Sequence, residues 1–395
     1  MLFFKLLLAI YCLKVLVYFI LLLNRKLNKN AICTERLLKD DLSVDVILPM
    51  YNEETVVAKT IKNILGINYR KFSVIVVDDG STDQSYAIVN ALYGDDPRVR
   101  LIHQENAGKS SALNRAMNAS DSDIIICIDA DTLVRPDVID KILPYFQDEK
   151  VGAVSGYVRV GNTVNFLTDM QYVEYLTVQN HDRMIFENIN GILVVPGALG
   201  AFRRSAVKDL GGFVSEALAE DCDITLRMLC QNYVIKNASE AMSFTEAPDT
   251  VRMFLKQRVR WTVGLTQGLL THAKKLTMQS NKALTYLVLP YTWLYRIIIP
   301  FFIPLADFVF IYVYFFLGHH EVLGYYLLCI LMEFLSSLII LLQEGERINW
   351  IKLIVLQRLL RSLTWITYLS ILLKWLNGSL YGWTKIPRQG TVELK

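Results

Sequence analysis

Ile124-Ile125-Ile126-Cys127-Ile128-Asp129-Ala130-Asp131 is the stretch on which the fold turns. A short apolar run dominated by isoleucine reads as a strand buried on both faces, the habit of parallel sheets. Similar runs occur at Val44–Leu48, Phe72–Val77 and Val99–His103. Helical patterns fill the intervals, from Glu53 to Leu65, from Asp83 and from near Lys109. The alternation predicts a largely parallel sheet covered by helices, and such sheets bind ligands outside the carboxyl ends of their strands.

The chemistry-bearing residues lie at those ends. Pro49-Met50-Tyr51-Asn52-Glu53-Glu54 follows the first strand, Asp78-Asp79-Gly80-Ser81-Thr82-Asp83 the second, and Asp129-Ala130-Asp131 the fourth. Any one cluster alone reads as a turn or helix cap, and Asp83 and Asp123 are given that role. Three together at one sheet edge would repel unless a cation or hydrogen-bond donors stood among them. Asp129 and Asp131 are hard oxygen donors of the kind that hold Mg²⁺ or Mn²⁺ beside phosphate oxygens. Glu105-Asn106-Ala107-Gly108-Lys109-Ser110 offers a lysine at a helix start, equally a diphosphate site and an ordinary capped helix. No G-x-G-x-x-G follows the first strand and no P-loop motif occurs, which disfavours a dehydrogenase or P-loop nucleotidase.

Composition sets the wider frame. Of 395 residues 53% are hydrophobic, and the mean hydropathy is +0.32. Residues 1–23 and roughly 284–376 are almost free of acidic charge, so the expected organisation is a membrane anchor (1–30), a globular domain (31–283), membrane or interfacial helices (284–376) and a tail (377–395). Met1–Leu23 can span a bilayer, and no small-residue cleavage site follows. The basic run Asn24–Lys29 places the globular domain in the cytosol, at the plasma or inner membrane. A net charge of +3 without a basic stripe gives no reason to expect nucleic acid. Six scattered cysteines and five histidines show no ligand spacing, against a zinc site or a disulfide framework.

Read in order, PMYNEE, VDDGSTD, NAGKSSALN, DAD, AED (Ala219-Glu220-Asp221) and QRVRW (Gln257–Trp261) resemble the processive family 2 glycosyltransferases. That family includes poly-N-acetylglucosamine, cellulose, hyaluronan and chitin-oligosaccharide synthases, and the resemblance covers residues 44 to about 265. It implies a GT-A type mixed, mostly parallel sheet with covering helices, plus transmembrane helices at both ends. Tyr51, Glu53, Asp78 and Asp79 would then hold the uridine, Lys109 the diphosphate, and Asp129 and Asp131 the nucleotide and metal. Asp221 matches the catalytic base, with Glu220 beside it; many members carry Thr where this chain has Ala219. A carboxylate in reach of a sugar hydroxyl can take its proton, and one base opposite the diphosphate implies inversion. Gln257, Arg260 and Trp261 share a helix face for the acceptor. The loop Val194–Arg203 resembles the acceptor entrance, where Gly197 permits close approach of sugar.

In the membrane half, 284–317, 322–342 and 350–376 are apolar, and 284–317, broken by Pro290, Pro300 and Pro304, is expected to be re-entrant or a tight pair. Arg358, Arg361 and Trp365 fall on one helical face and are candidates for a polymer channel, the alternatives being intramembrane ion pairing or an interfacial first half of residues 350–376. Tyr381–Gly390 resembles a tail that closes on the nucleotide in related synthases, with Trp383 and Arg388 as gating candidates. The expected partners are a UDP-sugar (UDP-N-acetylglucosamine by resemblance), a growing polysaccharide, the bilayer and a small accessory membrane subunit. Two other readings stand beside this one: transfer of a single sugar to a lipid carrier, and a nucleotide-binding transporter or structural membrane protein.

Overall fold

The computed structural model describes residues 2–32, 42–377 and 388–394, the side chains of 24–32, 303 and 304 excepted. Trp383 therefore lies outside the described residues. Eight strands form one sheet: β1 (Val44–Met50), β2 (Phe72–Asp79), β3 (Val99–Gln104), β4 (Ile124–Cys127), β5 (Thr132–Val134), β6 (Val151–Val160), β7 (Gly200–Arg203) and β8 (Val234–Thr245). Their spatial order is β3-β2-β1-β4-β7-β6-β8-β5.

The four strands visible as isoleucine- and valine-rich runs pair in parallel. Alternation along each strand splits the core in two. Ile47, Ile75, Val77 and Ile125 pack on one face with Ala112 and Leu226, while Val46, Val74, Val76 and Ile126 pack on the other with Ile61 and Val138. Beyond β4 the sheet turns mixed. β7 runs antiparallel to both β4 and β6, and β5 antiparallel to β8, whereas β6 and β8 are parallel.

Strand register sets the edge where the acidic motifs collect. β2 runs on through Asp78 and Asp79, which pair with His103 and Gln104 of β3. Gly80 turns the chain at φ +70°, where a Cβ would sit 2.7 Å from the Asn106 backbone nitrogen. Asn52, itself at φ +53°, accepts hydrogen bonds through its side-chain oxygen from the Thr82 and Asp83 amides, tying the first acidic loop to the second.

Among the described residues three helices are long and apolar enough to cross a membrane: Leu2–Leu23, Leu284–Phe302 and Val322–Gln343. The 284–317 stretch is neither re-entrant nor a pair. Residues 282–316 form one unbroken helical run with π-turns at Leu284–Val288, Trp293–Ile298 and Tyr312–Phe316. Pro290 and Pro300 fall in the first turn after a π segment, where the widened ladder tolerates their missing N–H groups. Trp350–Leu376 is a single helix that carries Lys352, Arg358, Arg361 and Lys374, and it is not among those three.

The helix Val251–Met278 packs on the helix Glu220–Cys230. At Gly264 it passes the N-cap of that helix, for a Cβ there would lie 2.6 Å from the Ala219 Cβ and 3.0 Å from its backbone nitrogen. Because backbone must give way, Gly264→Ala is expected to cost about 1–3 kcal/mol of stability. Thermal unfolding of the detergent-solubilised protein checks this, and an unchanged midpoint would show that the two helices can separate freely.

Candidate active site

Asp79 organises the phosphate-side loop from the end of β2. Its carboxylate accepts hydrogen bonds from the Ala107 and Gly108 amides, both at 2.9 Å, and from the Gln104 side chain at 2.7 Å. Gly108 takes φ +90° just ahead of the helix Lys109–Ala119 and so launches Lys109 inward. Asp78 is fully buried and bonded to His103 Nδ1 at 2.7 Å. Tyr51 and Glu53 lie on the adjoining loop, with the Glu53 amide donating to Ser85 Oγ at 2.7 Å.

Lys109 Nζ lies 2.6 Å from Asp129 Oδ1 and 3.0 Å from Glu220 Oε1. Gly197 closes over this pair, for a Cβ there would come 2.8 Å from Lys109 Nζ and 3.4 Å from Asp129 Oδ1. The Gly197 amide also donates to Asp221 Oδ2 at 3.3 Å, while Asp221 Oδ1 accepts from the Cys222 amide at 2.8 Å. The loop expected at the acceptor entrance thus touches the D-x-D carboxylate, the lysine and the proposed base together.

These contacts split the two neighbouring carboxylates. Burial works against both charges, but Lys109 and then Arg260 outweigh it at Glu220 and pull its pKa below the usual range. At Asp221 burial, followed by the Glu220 charge, prevails and pushes the pKa up to about 6. Asp129 is held low by Lys109 against its own burial, and Lys109, desolvated yet flanked by Asp129 and Glu220, is held firmly charged. Adjacent carboxylates driven apart in this way mark Glu220 as a fixed anion and Asp221 as the group that can exchange a proton near neutrality.

Asp131 is only 5% exposed. Its Oδ1 accepts from the Thr132 and Thr245 hydroxyls, while Oδ2 faces Arg388 Nη2 at 2.8 Å. The tail that brings Arg388 is pinned by Glu246, whose two carboxylate oxygens accept from the Gln389 and Gly390 amides at 2.7 and 2.9 Å. Among the described residues no group of three or more His, Cys, Asp or Glu is placed to hold a metal by itself. Asp129 and Asp131 are instead met by cations, Lys109 at 2.6 Å and Arg388 at 2.8 Å.

One cavity of about 430 Å³ runs from Lys109, Asp129 and Asp221 to the helices of the membrane half, where Arg296, Thr364 and Tyr368 line it. Gly197, Gln257, Arg260 and Trp261 all line it. Arg258, which sequence reasoning passed over, braces the wall. It pairs with Glu174, sits 4.6 Å over the Trp261 ring and 4.7 Å over Phe254. Its position inside QRVRW was visible, but its carboxylate partner lies 84 residues away in sequence. Glu246 was missed for the same reason, since its partners come from the far end of the chain.

Arg358, Arg361 and Trp365 are not among the residues lining this cavity. Arg358 pairs with Glu333, Arg361 Nη2 lies 3.0 Å from Asp307, and the Trp365 ring packs on Phe308. That helix turns its Leu360–Thr364–Thr367–Tyr368 side to the cavity instead. Pairing between helices, the alternative to a channel role, is what the structure shows at Arg358 and Arg361, as expected where a buried charge is stabilised by a partner.

The sheet order and its motif-bearing edge define a GT-A fold. A solved structure titled mannosyltransferase PcManGT from Pyrobaculum calidifontis, in complex with GDP-Man and Mn²⁺, superposes with a TM-score of 0.61 at 22% identity, covering 86% of this chain and 100% of that one. Residues 45–211 match the family described as Glycosyl transferase family 2. A poly-beta-1,6-N-acetyl-D-glucosamine synthase of Staphylococcus aureus is 30% identical over 233 residues, a match spanning 57% of each chain. The Staphylococcus epidermidis synthase of the same name is 25% identical over 304 residues, 75% of this chain and 73% of that one.

Among the described residues Lys109 is the one ion-pair partner shared by Asp129 and Glu220. Lys109→Met is expected to cost about 3–5 kcal/mol by stranding those charges, and Lys109→Arg much less. Equilibrium unfolding compares the two, and equal losses would show that shape rather than charge matters at this position.

Proposed function

We propose that the protein is a membrane-embedded, inverting glycosyltransferase that extends a β-linked polysaccharide from a UDP-sugar, most simply UDP-N-acetylglucosamine. The observation that carries this reading is the continuous cavity from the Lys109–Asp129 pair, past Asp221 and Trp261, to the membrane helices. A polymer made at one end has a path toward the bilayer at the other. The 30% and 25% identical synthases, with poly-N-acetylglucosamine in their names, support the choice of sugar. The basic flank of the first span supports a cytosolic catalytic domain, and a small accessory membrane subunit remains part of the proposal.

In this reading Asp221, ionised, accepts the proton of the acceptor hydroxyl as its oxygen attacks the anomeric carbon. The bond to the diphosphate breaks on the opposite face, so configuration inverts and UDP leaves. Lys109 and Arg260 stabilise the charge that gathers on the diphosphate. Trp261, braced by Arg258, presents an indole face to the acceptor sugar. Asp129 and Asp131 would hold Mg²⁺ or Mn²⁺, which supplies further neutralisation of the diphosphate. Tyr51, Glu53, Asp78 and Asp79 line the nucleoside end in this proposal, and Arg388 is the tail's contribution to the diphosphate end.

The test is UDP release by purified protein in nanodiscs, with Mg²⁺ or Mn²⁺ and a panel of UDP-sugars. One donor is expected to turn over and yield long product, with Asp221→Asn about 10²–10⁴-fold slower. Short lipid-linked product would move the assignment to single transfer onto a carrier, and unimpaired Asp221→Asn would remove the proposed base. The pH profile gives an independent check. Asp221 works only when deprotonated, so kcat/KM should be level above its pKa of about 6 and fall about tenfold per pH unit below it. A flat profile down to pH 4 would rule out a base with the raised pKa.

A further inference from the structure

The membrane end of the cavity carries a cation that the glycosyl-transfer chemistry does not use. Among the described residues six cationic side chains line the cavity, and four of them sit in ion pairs: Lys109 with Asp129 and Glu220, Arg258 with Glu174, Arg296 with Asp182, and Arg388 with Asp131. Arg260 lies within the field of Asp129, Glu220 and Asp221, at the diphosphate end. That leaves Arg183.

Arg183 stands on the short helix His181–Phe186, next to Asp182 in sequence. Asp182 offers it little, because that carboxylate is taken by Arg296, whose Nε donates at 3.0 Å, and by the Tyr18 hydroxyl. Arg183 Nη2 donates to the neutral Asn180 side chain at 2.6 Å. Its Nε is buried without any partner, and no described carboxylate is within ion-pair distance of it. Burial, and then repulsion from Arg296, lower the pKa of Arg183 to about 10. A desolvated guanidinium facing a cavity, beside a second cation and without its own anion, is incompletely matched by the protein alone.

We propose that Arg183, with Arg296 behind it, forms an oxyanion subsite at the membrane end of the acceptor cavity that takes a phosphate group. Guanidinium suits phosphate because its N–H groups match two oxygens at once. At the membrane boundary the abundant phosphate is that of a lipid headgroup or a lipid-linked acceptor, with soluble phosphate as the other source. The same end of the cavity is walled by Ile297, Pro300 and Leu360, apolar contributions suited to the first carbons of a lipid. The inference deepens the reading of this cavity as the acceptor path, yet the subsite itself requires no particular sugar.

Binding of dioctanoyl phosphatidic acid, dioctanoylglycerol and inorganic phosphate to the full-length protein in detergent, followed by tryptophan fluorescence and native mass spectrometry, tests it without turnover. Phosphatidic acid is expected to bind saturably, and Arg183→Gln to weaken it at least about tenfold, or about 1.4 kcal/mol. The exposed Arg347→Gln serves as the control that should change nothing. Retained UDP binding in Arg183→Gln shows that the variant is folded. Inorganic phosphate binding with the same Arg183 dependence, and no advantage for the lipid, would support the subsite with soluble phosphate as its source. Equal phosphatidic acid binding by Arg183→Gln and wild type would overturn the proposal. Should the variant lose UDP binding as well, the wild type decides: affinity for phosphatidic acid less than about tenfold above that for dioctanoylglycerol, with inorganic phosphate unbound, also overturns it. Because UDP release is not measured here, the subsite can fail while the transfer reaction stands, and the reverse.

Discussion

A single half-buried ammonium holds the catalytic edge together. Lys109 touches Asp129 at the end of the fourth strand and Glu220 at the start of the helix that carries Asp221. Without it, three carboxylates would share one desolvated pocket, a configuration that resolves itself by protonation or by moving apart. With it, two carboxylates are fixed as anions and the third is left with its pKa raised to about 6. The lysine is itself aimed by Asp79, which gathers the two amides ahead of it. The acidic motifs that look redundant in sequence therefore sit in different surroundings, one shaping a loop, one binding the lysine, and one left with a raised pKa.

The membrane helices are fastened to this edge by polar contacts as well as by packing. Glu346, in the connection between two of those helices, accepts from Arg159 of β6 at 3.1 Å and from the Tyr172 hydroxyl at 2.6 Å. Lys352 Nζ lies 2.8 Å from Asp169. Tyr18 of the first span and Arg296 of a later one converge on Asp182. The wall of the cavity is thus shared between sheet and membrane helices, and its cross-section depends on both halves keeping their relative position. Arg258 extends that logic into the catalytic domain, since Glu174 fixes it against the tryptophan it braces.

Legibility in the sequence followed the range of the interactions. The four parallel strands could be read because each is a contiguous apolar run whose pattern is local. The site edge could be read because parallel strands deliver their carboxyl ends to one side, so Asp79, Lys109 and Asp129 had to converge. The mixed half of the sheet could not, for β5 and β7 are three and four residues long and acquire their identity from partners far away. Charge partners were the least legible. Arg358 and Arg361 share a helix face, but only the positions of Glu333 and Asp307 on other helices decide that this face pairs rather than lines the cavity. Prolines misled in a similar way, because π-turns absorb in three dimensions what reads as a break in one.

The tail shows how far such a distant partner can reach. Asp131 is nearly sealed from water, so its charge needs a cation, and Arg388 is supplied from the opposite end of the chain. That guanidinium does not rely on Asp131 alone to stay near. Val392 is buried between Leu133 and Phe244, and Glu246 holds the Gln389 and Gly390 amides. Ordering entropy is offset by these anchors, not by the ion pair itself. A ligand or ion that claimed Asp131 Oδ2 would therefore have to displace only one side chain, with the strap still seated beside it. The arrangement keeps a cation against the D-x-D carboxylates, with the other end of its guanidinium donating to the Glu246 carbonyl at 2.9 Å.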